Sequence, residues 1–429
     1  MKRWYPVAVY RLAAPKAHAW IAWALFLPTY FFAFFQRTVT SVIGVELAAV
    51  FSLSGTVTGL LSAMYFYIYA MMQIPNGILA DTVGPRRMVV FGSVIMGAAT
   101  IAFAFPVSLP YAMAMRFLIG FGASFNFIAL LKLQTRLFSG ASFAYVSGLT
   151  IFVGNLGALF GVGPFAAIAG NFGWQNAFIA FGVLILLFAV VLFFFGTDGP
   201  VPVREKRYRL ADTMREIIAD RRNFLTFIAF AFSNGPYIAF ASLWGAPFFM
   251  HVYGMNALAA SGFVVWLPIG VAAGCLTNGV MVKLFRTDRR AVISILTAAA
   301  VFWAVLAFVR IPPSYIMIYR PLLFLLGFCI ASLNIIFTTI RSFTPSSMTG
   351  TAFAFTNMGG FIMISILQPL CGRILDASTT MHVTAHSAGI PIYPYKGYRI
   401  MLVFLLTLHV LAIISYWSVG MHTKKHSLP

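Results

Sequence analysis

The sequence predicts an all-α polytopic membrane protein: twelve transmembrane helices in two pseudo-symmetric six-helix halves. Three observations predict it. Of 429 residues, 61% are hydrophobic and only 9% charged, against about 25% charged in a soluble domain. That is too few to cover a water-facing surface. The apolar runs exceed the roughly 18 residues that mark a bilayer span. Special residues also repeat in register between the two halves of the chain.

Taken in order, the first run covers 19–51 and is long enough to tilt or project from the bilayer; it carries Arg37 and Glu46. The second, 55–79, holds Tyr65, Tyr67, Tyr69 and Gln73. The third is 88–107. The fourth, 111–133, opens with Arg116; the fifth, 142–169, is rich in glycine; the sixth is 174–195. Residues 197–222 then break the pattern with mixed charge, and 210–222 reads as an amphipathic surface helix. Six further runs follow at 223–252, 257–285, 291–309, 315–339, 346–375 and 398–421. The chain thus divides into a tail (1–18), a bundle (19–196), a linker (197–222), a second bundle (223–421) and a tail (422–429). The basic first residues lead into a span too long for a signal-peptide core, so the N-terminus is expected to be retained.

The formal net charge is +20. The lysines and arginines gather in short loops between runs and not in a polar stretch interleaved with aromatics, which excludes nucleic acid as a partner. They concentrate on the side of residues 77–87, in the linker and around 283–290 and 341. By the positive-inside rule that side is cytoplasmic, with both termini, in a bacterial inner membrane. Cys275, Cys329 and Cys371 lie in apolar runs without CxxC spacing and read as small core residues. No metal site or cofactor is indicated.

The halves resemble each other. TRLFSGASFAYVSGLTIFVGNLGALFGVGPF in the first half matches TIRSFTPSSMTGTAFAFTNMGGFIMISILQPL in the second, pairing Arg136 with Arg341, Gly148 with Gly350, Asn155 with Asn357 and Gly157 with Gly359. The turn GILADTVGPRR at 77–87 has a worn copy, NGVMVKLFRTDRR, at 278–290, where Lys283 replaces Asp81. Duplicated six-span halves are the build of transporters that rock about a central site.

The 77–87 turn, Gly77-x-Leu79-Ala80-Asp81-x-x-Gly84-x-Arg86-Arg87, resembles the loop motif between spans two and three of the major facilitator superfamily. Arg116-x-x-x-Gly120-x-Gly122 is similar to that family's fourth-span motif, and the glycines at 154, 157, 161 and 163 before Pro164 to its fifth-span motif. FFAFFQRTVTSVIGVEL with YFYIYAMMQIPNGILAD resembles the organophosphate and organic-anion permease branch. That resemblance implies that Arg37 binds the anion of the cargo, and that the 77–87 loop gates the cytoplasmic side by contacting the opposite half. Gln73 stands where the phosphate carriers have a second-span lysine, and the seventh run has no arginine. Those departures point away from a phosphate ester.

Arg37 is the sharpest site candidate, because an arginine in mid-span costs at least about 2.5 kcal/mol and faces a cavity or partner. Its planar fork suits a carboxylate or phosphate; pairing within the protein is the structural alternative. Tyr65, Tyr69 and Gln73, at successive i, i+4 positions, share one helix face. With Asn126, Asn234, Tyr237 and Asn334 they complete the expected substrate site, interhelical bonding being the equal competitor. Gly77, Asp81, Gly84, Arg86, Arg87 and Arg116 are the gating candidates. Glu46, about 14 Å along a helix from Arg37, is the coupling candidate. Asp376 reads as a surface residue.

The function expected is secondary transport of a small polar, anionic organic solute, a carboxylate or an amino-acid-like metabolite, by alternating access. The partners are that solute, a proton or counter-substrate, and the lipid bilayer, with the chain acting as a monomer. Efflux of drugs or metabolites on the same fold and a non-transporting membrane sensor are the alternatives. No HExxH, GxSxG or P-loop is present to suggest an enzyme.

Overall fold

In a bilayer the backbone has no partner but itself, so each apolar run closes its own hydrogen bonds as a helix. The computed structural model describes residues 16–138, 140–200, 210–331, 334–345, 348–380, 386–387 and 390–422. The side chains of some helical residues, Asp81 and Asn334 among them, lie outside the described residues. Eleven helices are long and apolar enough to cross a membrane, and a bent pair makes the twelfth. Between the last two spans, His386–Ser387 and Ile390–Pro391 form a small antiparallel hairpin.

Several runs that read as continuous are broken. The first divides into a span over His18–Thr38 and a shorter helix, Thr40–Phe51. Hydroxyls intervene at the break. Thr38 Oγ1 donates to the carbonyls of Phe35 (3.3 Å) and Ala158 (2.8 Å), and Ser41 Oγ to that of Thr38 (2.7 Å). Such side-chain bonds compete with the helix ladder. The second run bends by 45° between Gly55–Met71 and Gln73–Ala80, where Pro75 has no N–H to offer the Met71 carbonyl. The seventh, Arg221–Tyr253, contains a π-helical turn, Phe240–Trp244. The linker helix runs over Leu210–Ala219 and stops short of Arg222. Asp220 caps the seventh span instead, accepting from the Arg222 N–H at 2.8 Å and pairing with its guanidinium at 2.8 Å. Burial pushes that carboxyl up, but the Arg222 hydrogen bonds outweigh it and hold it below the usual carboxylate range.

The sequence repeat is a packing repeat. In the fifth span, Gly154, Gly157 and Gly161 lie against Tyr30, Phe31 and Phe35 of the first. In the eleventh, Gly359 and Gly360 lie against Phe227 and Phe230 of the seventh. A side chain at these glycines would collide, whereas Gly148 and its partner Gly350 both face open space. Close backbone approach through small residues is how membrane helices gain contact without a hydrophobic drive.

The paired loops are built alike as well. Arg86 donates to the Phe193 carbonyl at the end of the sixth span, and Arg289 to the Trp417 carbonyl of the twelfth. In the first half Asp198 adds a brace. Its Oδ1 accepts from the Arg86 N–H at 2.8 Å, while Arg136 donates to its backbone carbonyl at 2.8 Å. Gly84, at φ +95°, leaves room for that carboxylate; a Cβ there would come within 2.7 Å of it. In the second half Thr287 caps the corresponding helix, accepting from the Arg290 N–H at 3.2 Å.

On the side opposite these loops the halves seal against each other. Gly55 and Gly59 of the second span meet Gly372 and Gln368 of the eleventh, Gly44 meets Leu243, and Gly163 meets Val265. Asp376, expected at the surface, is half-buried in this seam. Its carboxylate accepts from the N–H groups of Gly55 (2.7 Å) and Thr56 (2.8 Å), from Thr56 Oγ1 (2.5 Å) and from the Tyr393 hydroxyl (2.7 Å). An acidic group at a helix N-terminus meets unsatisfied donors and a favourable dipole.

Candidate functional site

Arg37 lies two residues before the break at Val39 in the first run, on a helix held close to the fifth span by Gly154 and Gly157. Its Nη2 donates to the Tyr69 hydroxyl at 2.8 Å. Its guanidinium carbon stands 3.8 Å from the Phe34 ring centroid, 4.8 Å from Tyr69 and 5.1 Å from Phe361. Phe361 belongs to the eleventh span, so both halves enclose the cation. Such contacts contribute about 0.5–2 kcal/mol each, enough to hold an arginine in mid-membrane. Among the described residues no carboxylate forms an ion pair with it; the one ion pair found is Arg222–Asp220. Nε of Arg37 has no hydrogen-bond partner, and the residue as a whole is only half-buried.

Tyr65 and Tyr69 share a face as the spacing predicts, their rings stacked at 5.8 Å. Tyr65 spends its hydroxyl on the Ala33 carbonyl (2.8 Å), which ties the second span to the first. Tyr69 packs 4.3 Å from Phe361 across the divide. Gln73 is buried just beyond the bend. Asn234 and Tyr237 are half-buried on the seventh span; Asn234 lies beside Gly360, and Tyr237 lies within electrostatic reach of Cys275. Asn126 is buried, donating to the Ala123 carbonyl at 3.3 Å with its own oxygen unpaired. The Asn334 side chain lies outside the described residues.

Arg116 is not part of the loop assembly. It is fully buried in the first half and donates to the side-chain and backbone oxygens of Gln36 at 3.4 and 3.2 Å. Its guanidinium lies over Tyr65 (5.4 Å) and Phe103 (5.9 Å). Gln36 in turn donates to Thr100 at 3.0 Å. This network joins the first four spans directly behind Arg37. Glu46 is exposed on the short helix after the break. Of the loop candidates, Gly84 and Arg86 contact their own half, Arg87 is exposed, and the Cβ position of Gly77 faces open space. The Asp81 side chain lies outside the described residues.

Sequence reasoning missed three groups that the fold brings to Arg37. Phe34 and Tyr30 precede it by three and seven residues on one helix, so helical spacing alone would have placed them on its face. Tyr30 is buried, its hydroxyl has no partner, and it lies within electrostatic reach of Arg37, Tyr69 and Cys275. Phe361 has no local signal; only the packing of the halves brings it in. The assembly is a guanidinium in an aromatic enclosure with unspent donors, suited to hold an anion by paired hydrogen bonds.

The family model described as Major Facilitator Superfamily matches residues 26–368. A probable sulfoacetate transporter of Cupriavidus necator is 29% identical over 171 residues, 40% of each chain. An uncharacterized transporter of Bacillus subtilis, YybO, is 25% identical over 64% of this chain and 67% of its own. The hexuronate transporter of Bacillus subtilis is 26% identical over 61% of this chain and 64% of its own. The matched stretches thus span between two fifths and two thirds of those relatives. Among solved structures, an inward-facing, unoccupied bacterial homologue of the human lysosomal transporter Spinster superposes with a TM-score of 0.76. It is 18% identical, covering 95% of this chain and 98% of that one.

Proposed function

This chain belongs to the Major Facilitator Superfamily, and we propose on that premise that it is a secondary transporter carrying a small organic anion by alternating access. One observation carries the reading: Arg37, enclosed by rings from both halves, holds a positive charge that no carboxylate of the described residues cancels. A buried charge left unpaired is costly, and an arriving anion relieves that cost. Tyr69, Tyr65, Tyr30, Gln73, Asn234 and Tyr237 complete the site, and Asn126 and Asn334 are the more distant candidates. Relatives named for sulfoacetate and hexuronate support an acidic organic cargo.

In the cycle, the anion binds between the halves, neutralises Arg37 and allows them to rock. The seam around Asp376 and Gly55 is one gate. The loops at 77–87 and 278–290 frame the other, with Asp81 as its latch and Arg86, Arg87 and Gly84 holding the loop in shape. A cargo drives this only through different affinities for the two states. The 77–87 side is cytoplasmic, in a bacterial inner membrane, and the protein acts as a monomer. A counter-substrate suits a chain with so few buried carboxylates better than a proton held by Glu46, which is exposed. A thermal-shift screen of the purified protein against organic acids tests the reading through linkage. A stabilising acid is expected, its effect lost in Arg37→Gln; acids that stabilise both proteins alike would remove Arg37 from the site.

A further inference from the structure

We infer that the cargo is a monoanion: one carboxylate or sulfonate at Arg37, with an uncharged remainder against the second half. The inference rests on the organic-anion reading and adds a count of charges. Lysines and arginines of the other spans sit towards the span ends, apart from Arg116. Arg116 is fully buried behind Tyr65, with Nη1 and Nη2 committed to Gln36. Arg320 opens the tenth span and lies over Phe263, which follows the start of the eighth, at the sealed end of the molecule. The second-half residue against Arg37 is Phe361; Asn234 lies beside the neighbouring Gly360, and Cys275 within electrostatic reach of Tyr30, none of them a cation. The seventh span has no lysine or arginine after Arg222, and the eighth has none over Ala257–Thr277.

The enclosure therefore offers one positive charge to an anion. A monoanion cancels it. A dianion leaves a net negative charge between the halves when they close, in surroundings where an unpaired charge is heavily disfavoured. Its second carboxylate would meet the negative faces of the aromatic rings. The remainder of the cargo is expected to carry hydroxyl or amide groups, which Asn234 and the tyrosine hydroxyls can bind.

The test uses matched pairs that differ only in a second acidic group: gluconate and glucarate, glycerate and tartronate, butyrate and succinate, ethanesulfonate and sulfoacetate. Thermal shift of the full-length protein at pH 8 gives affinities, with Arg37→Gln as control. In at least one pair the monoanion is expected to bind tenfold or more tightly than its dianion, and the effect to vanish in the control. Dianions that bind as tightly as their partners at pH 8, and that need Arg37, would overturn the charge count alone. Silence across all pairs, or binding unaffected by Arg37→Gln, would overturn the organic-anion reading and this inference with it.

Discussion

Replacing Asp376 by asparagine is a one-atom change at the seam between the halves. Among the described residues the carboxylate accepts from Gly55 N–H and the Tyr393 hydroxyl on Oδ1, and from Thr56 N–H and Oγ1 on Oδ2. An amide has one acceptor oxygen and one donor nitrogen. Whichever way it turns, its NH2 faces a backbone N–H that cannot reverse its polarity, although the hydroxyl beside it can rotate to accept. One hydrogen bond to a charged group is lost, about 1.5–3 kcal/mol. The favourable charge at the helix N-terminus goes too, at about 0.3–1 kcal/mol. Together these weaken the seam by about 2–4 kcal/mol, or roughly 30- to 800-fold in its closed-to-open ratio. Spin labels at the exposed positions Val107 and Tyr315 sit on the two halves at that end. In a background lacking the native cysteines, pulsed distance measurements should give one short population for the parent. A second, longer one should grow in for Asp376→Asn. Thr56→Val, which removes only the hydroxyl donor, should fall between. A folded Asp376→Asn protein with the parental distances would refute the reasoning.

Arg37→Gln should abolish uptake in cells while the protein still reaches the membrane, which uptake and membrane blots together report. Asp81→Asn should slow cycling more than it weakens ligand binding; lost binding at an unchanged rate would contradict its place as a latch. Gly157→Val should lower the melting temperature, because its Cβ would strike the Phe31 backbone and overpacking costs about 1–3 kcal/mol. Gly148→Ala and Gly350→Ala, facing open space in helices, should leave stability unchanged or raise it by up to about 1 kcal/mol. Arg116→Leu should destabilise the fold, because it removes the donor to the two Gln36 oxygens; normal thermal stability would mean that the buried network contributes little.

The fold was legible because bilayer physics acts on composition over long windows, and the repeat because glycines at helix crossings cannot be replaced by larger residues. Gly157 and Gly359 carried that signal and do the same work in space. The breaks were less visible. Pro75 marks the bend of the second span and Pro236 and Pro247 flank the π turn at Phe240–Trp244, but the break at Val39 is marked only by the hydroxyls of Thr38 and Ser41. The site was half legible. Arg37 and Tyr69 stood out because charge and spacing are local properties, and Tyr30 should have. Phe361 and Asp376 did not, because their partners lie some 300 residues away. Asp198 was hidden for a related reason. It falls in a charged linker, where one more acidic residue carries no signal, and its meaning comes from the bare amide of Arg86 across the bundle.

That brace has a consequence for how the protein is made. The start of the third span stays untied until the chain has been synthesised past Asp198, when the sixth span is already in the membrane. Asp198 and the Phe193 carbonyl then fasten the loop, and the first half can close before the seventh span has left the ribosome. The polar residues that follow give the ribosome an interval in which that closure can happen, so the order of synthesis favours two finished bundles over one tangled set of twelve helices. Protease resistance of the 77–87 loop in nascent chains stalled with Asp198 inside and outside the ribosome would time the step.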